Sequence, residues 1–243
     1  MAYQPEKMLV TGAAGFIGCN FVRFILETYD DVTVISYDKL TYAGKKENLP
    51  PESDRHIFVQ GDICDQPLVA SLLRQHNIDT IVHFAAESHV DRSISGPAVF
   101  VQTNVVGTFS LLEMARQYWL EEKKQGAAQC RFHHISTDEV YGQLSKDDPG
   151  FKETTPYDPR SPYSASKASS DHFVQAYAHT YGLPMTISNC SNNYGPYQCE
   201  EKLIPVVMRC CMNQEPIPVY GDGSNIRDWL YVSDHCAAVD QII

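Results

Sequence analysis

The amino-acid sequence predicts an α/β protein built on a doubly wound parallel sheet. Short β-branched runs alternate with longer helical patterns along residues 1–190, which is the order of successive βαβ units. A glycine-rich turn follows the first predicted strand, and from Ser191 onward Asn, Gly and Pro interrupt the pattern. The 243 residues, 43% of them hydrophobic, are enough for one domain or a domain and a fraction. We therefore expect a Rossmann-type sheet followed by an incomplete, ligand-facing C-terminal part.

Six strands and five helices make up the predicted fold. The strands are predicted where apolar and β-branched residues form short runs, at 7–11, 32–37, 57–59, 80–84, 132–136 and 185–189. The helices are predicted where apolar residues recur at helical spacing, at 16–25, 67–75, 98–120, 163–181 and from 233 onward. Gly182 and Pro184 end the fourth of these helices.

Charge and cysteine content limit the classes of partner. The chain carries 30 acidic and 19 basic residues, a net charge of −11, and no basic run, so nucleic acid and membrane surfaces are poor partners. No run approaches the roughly 18 apolar residues of a membrane span. The first ten residues show no secretory signal, so we expect a cytoplasmic protein with its eight cysteines reduced. Histidines and cysteines lack metal-ligand spacing, and no metal site is predicted.

Gly12, Gly15 and Gly18 form a Gly-x-x-Gly-x-x-Gly turn between the first strand and the first helix. Such a turn lets the backbone approach a pyrophosphate, which amide groups at the helix N-terminus can bind. Asp38 ends the second strand, where a carboxylate can accept hydrogen bonds from ribose hydroxyls. Because this carboxylate would repel a 2′-phosphate, we predict an NAD site rather than an NADP site.

Two further strand ends belong to the same predicted site. Asp62 follows the third strand, where it could contact the adenine amino group or simply cap the strand end. Ala85 and Ala86 follow the fourth strand. Small side chains at that place leave room for the backbone to pass close to a cofactor.

Tyr163 and Lys167 lie four residues apart, on one face of a predicted helix. A free phenol has a pKa of about 10 and is a poor base near neutrality. A neighbouring ammonium and a bound, positively charged nicotinamide would favour the phenolate. The phenolate could then take a hydroxyl proton while hydride leaves the same carbon for NAD. We therefore predict that this pair is the acid–base centre of an NAD-dependent oxidation.

Thr137, Asp138 and Glu139 stand at the carboxyl end of the fifth strand, which faces the ligand crevice in a parallel sheet. A simple dehydrogenase needs one hydroxyl group here, so two adjacent carboxyl groups exceed that need. Elimination of water does require two groups, a base for a C–H proton and an acid for the departing hydroxyl. Spacing alone leaves open the alternative that Asp138 and Glu139 only cap the following loop.

Ten segments, in order from residue 10 to residue 235, match one known family. They are VTGAAGFIG, DKLTYAG, GDICD, HFAAESHVDRSI, TNVVGT, STDEVYG, SPYSASKASSD, SNCSNNYGPYQ, EKLIP and RDWLYVSDH. In these segments the chain resembles the dTDP-glucose 4,6-dehydratases of the extended short-chain dehydrogenase/reductase superfamily. STDEVYG is the most specific of them, because related nucleotide-sugar epimerases and decarboxylases differ at the position of Asp138.

The resemblance implies a hydro-lyase that converts dTDP-glucose to dTDP-4-keto-6-deoxyglucose with a tightly held NAD. Tyr163 would take the proton of the 4-hydroxyl, with Lys167 as its electrostatic partner and Thr137 as a hydrogen-bond donor to the same oxygen. Glu139 would then remove the C5 proton, and Asp138 would protonate the departing C6 hydroxyl. Return of the hydride to C6 would regenerate NAD.

The resemblance also implies the residues that line each part of the site. For NAD they are Gly12, Gly15, Phe16, Ile17, Gly18, Asp38, Lys39, Leu40, Thr41, Asp62, Ile63, Ala85, Ala86, Ser88, Thr103, Tyr163, Lys167 and Asn192. For dTDP-glucose they are Ser88, Thr137, Asp138, Glu139, Asn193, Lys202, Leu203, Pro218, Tyr220 and Arg227. Lys202 and Arg227 suit a diphosphate because they are cations in an acidic chain. Without the resemblance, they could equally be solvated surface charges.

The same resemblance divides the chain into an NAD-binding Rossmann domain, 1–190, and a partial nucleotide-sugar-binding region, 191–243. The end of that region, 228–243, is expected to return to the first domain. Members of the family usually continue well beyond this length, so we expect some substrate contacts to be missing. Two alternatives stay open: another NAD-dependent nucleotide-sugar enzyme (an epimerase or decarboxylase), and an inactive, truncated NAD-binding fragment.

A homodimer is also expected from the resemblance. In this family the helices that correspond to 98–120 and 163–181 usually pair across a two-fold axis. The aromatic residues of these two segments could equally belong to the core of a single chain; they are Phe100, Phe109, Phe173 and Tyr177.

Overall fold

Six parallel strands form the central sheet of the computed structural model, which describes residues 3–145, 147–219 and 221–243. They are β1 (Lys7–Thr11), β2 (Thr33–Asp38), β3 (His56–Gln60), β4 (Thr80–His83), β5 (Arg131–Thr137) and β6 (Met185–Cys190). Their order across the sheet is β3-β2-β1-β4-β5-β6, and every neighbouring pair is parallel. The predicted doubly wound parallel sheet is therefore confirmed, with strand bounds shifted by at most one residue.

Seven helices accompany the sheet in the described part of the chain. They are α1 (Phe16–Thr28), α2 (Gln66–Gln75), α3 (Val90–Ser95), α4 (Pro97–Glu122), α5 (Pro162–Tyr181), α6 (Leu203–Asn213) and α7 (Val232–Ile242). Residues of α2, α4 and α5 pack on one face of the sheet, around the buried Trp119 and Phe132. Residues of α1 and α7 pack on the other face, around Phe21 and Val239. The sheet is thus covered on both faces, which explains why β1 is buried from Met8 to its end.

The helix α5 begins and ends at clear local signals. The Ser161 hydroxyl accepts a hydrogen bond from the Ser164 amide, and the Ser164 hydroxyl accepts one from the Ser161 amide, both at 3.0 Å. Pro162 occupies the first helical position, where its missing N–H costs nothing. Gly182 ends the helix with a φ of 72°, a left-handed conformation that glycine adopts without strain. These signals set the start of the helix that carries Tyr163 and Lys167.

The helix α4 is the longest in the described residues, and its Val101–Gly107 and Arg116–Glu122 segments have π-helical hydrogen bonding. By length and composition alone it is apolar enough to cross a membrane, although polar residues interrupt its apolar run. Half of its most apolar stretch is buried inside the protein, where Trp119 donates to the Ile78 carbonyl at 2.7 Å. It is a core helix of this domain.

The stretch from Ser191 onward contains more regular structure than the sequence analysis predicted. Helix α6 forms there despite Pro205, because proline is tolerated in the first turn of a helix. The short strands β7 (Asn192–Tyr194) and β8 (Trp229–Tyr231) pair in parallel as a second, small sheet. After β8 the chain enters α7, which packs against α1 beside the main sheet. The short helix α3 was also not predicted.

Candidate active site

A deep cavity opens at the carboxyl ends of β1 and β4, where the strand order of the main sheet reverses. Parallel sheets bind their ligands at this point. The cavity brings together most of the residues predicted for the site. Those that line it are Gly12, Gly15, Phe16, Ile17, Gly18, Asp38, Lys39, Thr41, Asp62, Ile63, Ala85, Ala86, Ser88, Thr103, Thr137, Asp138, Glu139, Tyr163, Lys167, Asn192, Asn193, Lys202 and Leu203.

The glycine turn packs so tightly that a side chain has no room at Gly12 or at Gly18. Gly12 has a φ of 66°, and a β-carbon on it would lie 2.6 Å from the Ala85 amide nitrogen. A β-carbon on Gly18 would overlap the Gly12 carbonyl oxygen and lie 2.9 Å from the Ala13 Cα. In the described part of the chain, no side chain caps the N-terminus of α1 at Gly15, which leaves its first amide groups available to an anionic ligand.

The Asp38 carboxylate is held in place by two backbone amides. Its oxygens accept hydrogen bonds from the Ala14 amide at 2.9 Å and the Leu40 amide at 2.7 Å. Burial raises the pKa of Asp38, and these two hydrogen bonds oppose the shift. Leu40 has a φ of 56° and does not line the cavity itself. Its part in the site is thus to orient Asp38 through its backbone.

Asp62 caps the end of β3 and also borders the cavity, while its contact with the adenine amino group stays a prediction. It lines the cavity, and its carboxylate also accepts the Cys64 amide at 2.9 Å and so caps the turn after β3. Its other oxygen pairs with the Lys39 ammonium at 2.7 Å. Both side chains of this ion pair are partly exposed, so it contributes little to the free energy of unfolding.

Tyr163 and Lys167 lie one helical turn apart on α5 at the floor of the cavity, with 8% and 4% of their surfaces exposed. Lys167 Nζ donates to the Ile135 carbonyl oxygen at 2.8 Å. Burial raises the pKa of the Tyr163 phenol, and the neighbouring Glu139 carboxylate raises it further. Tyr163 can therefore act as a base only when positive charge is brought close to it.

Thr137 caps the turn that carries the two carboxyl groups. Its hydroxyl oxygen accepts the Glu139 amide at 3.3 Å, at the start of a short 3₁₀ turn, Asp138–Tyr141. The same hydroxyl donates to the Asp138 carboxylate at 3.3 Å. The cap of this turn is thus Thr137, and the carboxyl groups of Asp138 and Glu139 border the cavity.

The two carboxyl groups are adjacent in sequence but differ in their surroundings. Burial raises the pKa of Asp138, and the Thr137 hydrogen bond opposes the shift. Burial also raises the pKa of Glu139, and the Asp138 charge adds to it. In contrast to Asp138, Glu139 feels the charges of Arg227 and Lys202, which favour its ionised form. Two carboxyl groups in unlike environments can divide the roles of acid and base.

Three predicted site residues lie outside the cavity lining, and one cannot be placed. Leu40 contributes only its backbone, as described above. Pro218 and Arg227 are exposed to solvent, and the Arg227 guanidinium donates to the Ile226 carbonyl oxygen at 2.8 Å. Tyr220 lies outside the described residues.

Several residues that line the cavity were not predicted. Cys190 stands at the end of β6, beside the end of β5, and the rule that ligands bind at carboxyl ends of parallel strands could have found it. Four more come from segments whose course the sequence pattern does not fix: Tyr42, Gln198, Glu201 and Trp229.

Comparison with known proteins identifies the family. A family model described as GDP-mannose 4,6 dehydratase matches residues 9–243. The chain is 54% identical over 247 residues to dTDP-glucose 4,6-dehydratase 1 of Escherichia coli K12, covering 98% of this chain and 68% of that protein. It is 56% identical over 239 residues to the dTDP-glucose 4,6-dehydratase of Xanthomonas campestris strain B100, covering 97% and 67%. The chain belongs to the dTDP-glucose 4,6-dehydratase family.

Solved structures of dTDP-glucose 4,6-dehydratases share the fold. DesIV from Streptomyces venezuelae, crystallised with NAD and TYD bound, superposes with a TM-score of 0.87 at 49% identity, covering 96% of this chain and 70% of that one. The enzyme from Bacillus anthracis, in complex with NAD, has a TM-score of 0.86 at 44% identity, with the same coverage. UDP-glucose 4-epimerase of Thermotoga maritima shares the fold at 31% identity, with a TM-score of 0.84. The fold is thus common to dehydratases and epimerases, and the higher identity lies with the dehydratases.

Proposed function

We propose that this chain is an NAD-dependent hydro-lyase that removes water from dTDP-glucose to give dTDP-4-keto-6-deoxyglucose. The observation that carries the proposal is the pair of carboxyl groups, Asp138 and Glu139, in the same cavity as Tyr163 and Lys167. An oxidoreductase centre alone accounts for Tyr163 and Lys167, whereas the added acid and base account for an elimination. Membership of the dTDP-glucose 4,6-dehydratase family supports the same reaction.

The cavity fits NAD at the end that holds the glycine turn. A β-carbon at Gly12 or Gly18 would clash with backbone atoms of the protein itself, so glycine is required for the tight turn that presents the start of α1 to a pyrophosphate. Asp38 is oriented toward the cavity by two amides, and its charge favours NAD over NADP. When bound, NAD would supply the redox chemistry, accepting hydride from C4 of the sugar and returning it at C6.

The residues on α5 would move the first proton. Tyr163 would take the proton of the 4-hydroxyl, and the buried Lys167 ammonium would stabilise the resulting charge on the phenol oxygen. Thr137, which stands next to Asp138, would hydrogen bond to the same sugar oxygen. Because burial and the Glu139 charge both raise the pKa of Tyr163, the reaction depends on the Lys167 charge.

The residues after β5 would carry out the elimination. Once C4 is a ketone, the proton on C5 is acidified, and Glu139 would remove it. Lys202 and Arg227 help to keep Glu139 ionised for this role. The pKa of Asp138 is raised by burial, which suits it to protonate the C6 hydroxyl as that group departs as water.

The same two cations would hold the nucleotide diphosphate. Lys202 lines the cavity, and the field of Arg227 reaches Glu139. In a chain with a net charge of −11, such local cations are needed to bind a polyanionic substrate. The remaining residues proposed for substrate contacts are Ser88, Asn193, Leu203, Pro218 and Tyr220.

We further propose a homodimer formed through α4 and α5. Phe109 and Phe173 form an edge-to-face pair with ring centroids 6.4 Å apart, yet they are 37% and 40% exposed. Val101 and Val106 add exposed apolar surface on the same helix α4. Exposed apolar side chains grouped in this way are typical of an interface. Phe100 and Tyr177, in contrast, are buried within the chain.

The proposed organisation places the NAD-binding Rossmann domain at 1–190 and a partial nucleotide-sugar-binding region at 191–243. The packing of α7 on α1 supports the return of 228–243 to the Rossmann domain. A cytoplasmic location fits the use of NAD, and the eight cysteines are free thiols.

The direct test is the mass of dTDP-glucose after incubation with the purified chain and NAD. We expect the loss of one water, abolished by Tyr163→Phe and by Glu139→Gln. Tyr177→Phe is the matched control, because Tyr177 lies on the same helix but bonds to Glu113 at 2.9 Å. A folded chain that binds NAD and leaves the substrate mass unchanged would contradict the proposal and favour an NAD-binding fragment without activity. A product of unchanged mass but altered configuration would favour an epimerase.

A further inference from the structure

Lys167 is a buried cation that lacks a direct counter-charge among the described residues. Only 4% of the surface of Lys167 is exposed, and its ammonium donates to the neutral Ile135 carbonyl oxygen at 2.8 Å. Burial lowers the pKa of Lys167, since the charged form loses its hydration. Something must offset this loss if the ammonium is to stay charged at the site.

Behind Lys167 lies a buried polar network that the proposed mechanism does not use. Lys167 Nζ is 3.4 Å from Nε2 of His134, and the same Nε2 is 3.2 Å from Oδ1 of Asp171. His134 and Asp171 are both fully buried. The other oxygen of Asp171 accepts the Ser136 hydroxyl at 2.7 Å and the Tyr157 hydroxyl at 3.0 Å. The network thus joins α5, β5 and the loop that carries Tyr157.

The orientation of His134 follows from its partners. Nδ1 of His134 is buried without a hydrogen-bond partner among the described residues, so a proton there would have no acceptor. The tautomer that fits carries its proton on Nε2, which faces Oδ1 of Asp171 at 3.2 Å. Oδ1 itself has no hydrogen-bond partner among the described residues, so this contact is electrostatic. Burial and the Lys167 charge lower the pKa of His134 to about 4. His134 is therefore a neutral side chain whose Nε2 atom lies between a cation and an anion.

Asp171 keeps its charge despite complete burial. Burial alone would raise the pKa of Asp171, but the close His134 ring, the charge of Lys167 and the hydrogen bond from Ser136 outweigh it and lower the pKa. In return, Asp171 raises the pKa of Lys167 against the effect of burial. The arrangement is an ion pair with a neutral imidazole between its partners.

We propose that Asp171 is the positioning residue of Lys167, and that its carboxylate, acting across His134, keeps the Lys167 ammonium charged and in place beside Tyr163. Asp171 lies too deep to touch a ligand in the cavity. Its effect on the reaction passes through Lys167, on which the stabilisation of the Tyr163 phenolate depends. The inference rests on the proposed function for its catalytic consequence, but not for the charge state of Lys167.

Few other ionisable groups face this network. On the side of Lys167 they are Tyr163 on the same helix, His134 on β5, His83 on β4 and Cys190 on β6. On the side of Asp171 they are Tyr157 and Tyr141. Helix α4 contacts this part of α5 through the neutral Asn104. Asp171 is therefore the group whose negative charge offsets that of Lys167.

The variant Asp171→Asn tests the proposal, because it removes the charge and keeps an oxygen for Ser136 and Tyr157. The ionisation of Lys167 is followed in the full chain by NMR of lysines labelled with ¹³C at Cε, with Lys167→Met to assign the signal. We expect Lys167 to lose its proton at a lower pH in Asp171→Asn than in the unaltered chain. Titration at the same pH in both would overturn the proposal.

A matched control separates this effect from loss of packing. Ser170 is equally buried one residue away, and its hydroxyl donates to the Asn104 and Ser166 carbonyl oxygens at 2.6 and 2.8 Å. Ser170→Ala removes buried hydrogen bonds from the same turn without changing charge, so the titration of Lys167 should not move. Should Asp171→Asn fail to fold, Asp171→Ser removes the same charge and places a smaller polar side chain at the position. The same downward shift is expected, and its absence would overturn the proposal.

The pH profile of water loss from dTDP-glucose provides a second readout. The rate should fall about 10- to 100-fold in Asp171→Asn, with its decline at high pH beginning at a lower pH. A uniform fall at every pH would indicate a merely structural role and overturn the proposal. An unaltered chain that does not convert dTDP-glucose would contradict the proposed function alone, since the Lys167 titration would still test the role of Asp171.

Discussion

The Thr137 hydroxyl donates a hydrogen bond to the Asp138 carboxylate at 3.3 Å. No comparable donor contacts the Glu139 carboxylate among the described residues, and its pKa is instead influenced by the charges of Lys202 and Arg227. Two neighbouring carboxyl groups are thereby made chemically unequal. This asymmetry permits one of them to act as the acid and the other as the base of an elimination.

Glu139→Gln should separate oxidation from elimination. The amide cannot remove the C5 proton, so we expect water loss to fall by about 10²- to 10⁴-fold. Oxidation at C4 depends on Tyr163 and Lys167, and it should continue. The absorbance of reduced nicotinamide should therefore rise and persist after one addition of dTDP-glucose.

Asp138→Asn is the companion variant. It retains a polar group beside Thr137 but cannot protonate the C6 hydroxyl, so water loss should slow while the base remains in place. Rapid product formation in Glu139→Gln would contradict the role of Glu139 as the base, and rapid formation in Asp138→Asn would contradict the role of Asp138 as the acid.

The pH dependence should report the ionisation of Glu139. A base must be deprotonated to act, so the rate falls as the pH drops through the pKa of Glu139. Because burial and Asp138 raise this pKa, the decline should occur above the ordinary glutamate pKa of 4.5. Lys202→Met removes a charge that lowers the pKa, and the decline should then move to a higher pH.

Lys152→Met is the control for that measurement, since Lys152 is an exposed lysine outside the cavity. An identical acid limb in Lys202→Met and in Lys152→Met would show that Lys202 does not influence the base. Binding of dTDP-glucose should also weaken in Lys202→Met alone, since Lys202 is proposed to contact the diphosphate.

The main sheet was predictable because its signals are local. Buried parallel strands are short β-branched runs that can be recognised one by one. The turn at Gly12 is also recognisable, because its positive φ and close backbone contacts require glycine. The position of Asp38 followed from the chain order of the first βα unit. Tyr163 and Lys167 followed from helical spacing together with the capping residues of α5.

The region after Ser191 was less predictable because long-range pairing determines it. The β7 strand pairs with β8, which lies more than thirty residues later in the chain, and nothing local in either segment fixes that register. Pro205 made the start of α6 hard to predict. A proline in the first turn of a helix resembles a proline that interrupts a helix, unless the first residue of the helix is known. The Asp171 network could not be predicted from the sequence, because it depends on side chains that meet across three elements.

Gly18→Ala should weaken NAD binding. The added β-carbon would overlap the Gly12 carbonyl oxygen, and relief of such a clash costs about 1 to 3 kcal/mol. If the whole cost falls on binding, the Kd rises by about 5- to 150-fold, measured by calorimetric titration with NAD. Gly126→Ala is the control, because a β-carbon there meets nothing within 4 Å. Equal affinities in the two variants would contradict the assigned role of the turn.

Phe173→Glu should dissociate the proposed homodimer. A charge placed at the exposed Phe109–Phe173 pair would be buried in the interface without a partner. Sedimentation equilibrium should then give the mass of one chain instead of two. Met212→Glu, on α6 and 82% exposed, should leave the mass of the dimer unchanged. A single-chain mass for the unaltered protein would show that these helices do not pair.

We propose that oxidation at C4 and water loss across C5 and C6 both occur in one cavity of this chain. The most direct test uses dTDP-glucose that carries deuterium at C4, incubated with the chain and NAD and analysed by mass spectrometry and NMR. The account predicts a product that is one water lighter and retains the deuterium, now in the C6 methyl group. A lighter product without deuterium at C6, or a substrate recovered unchanged from a folded, NAD-bound chain, would contradict it.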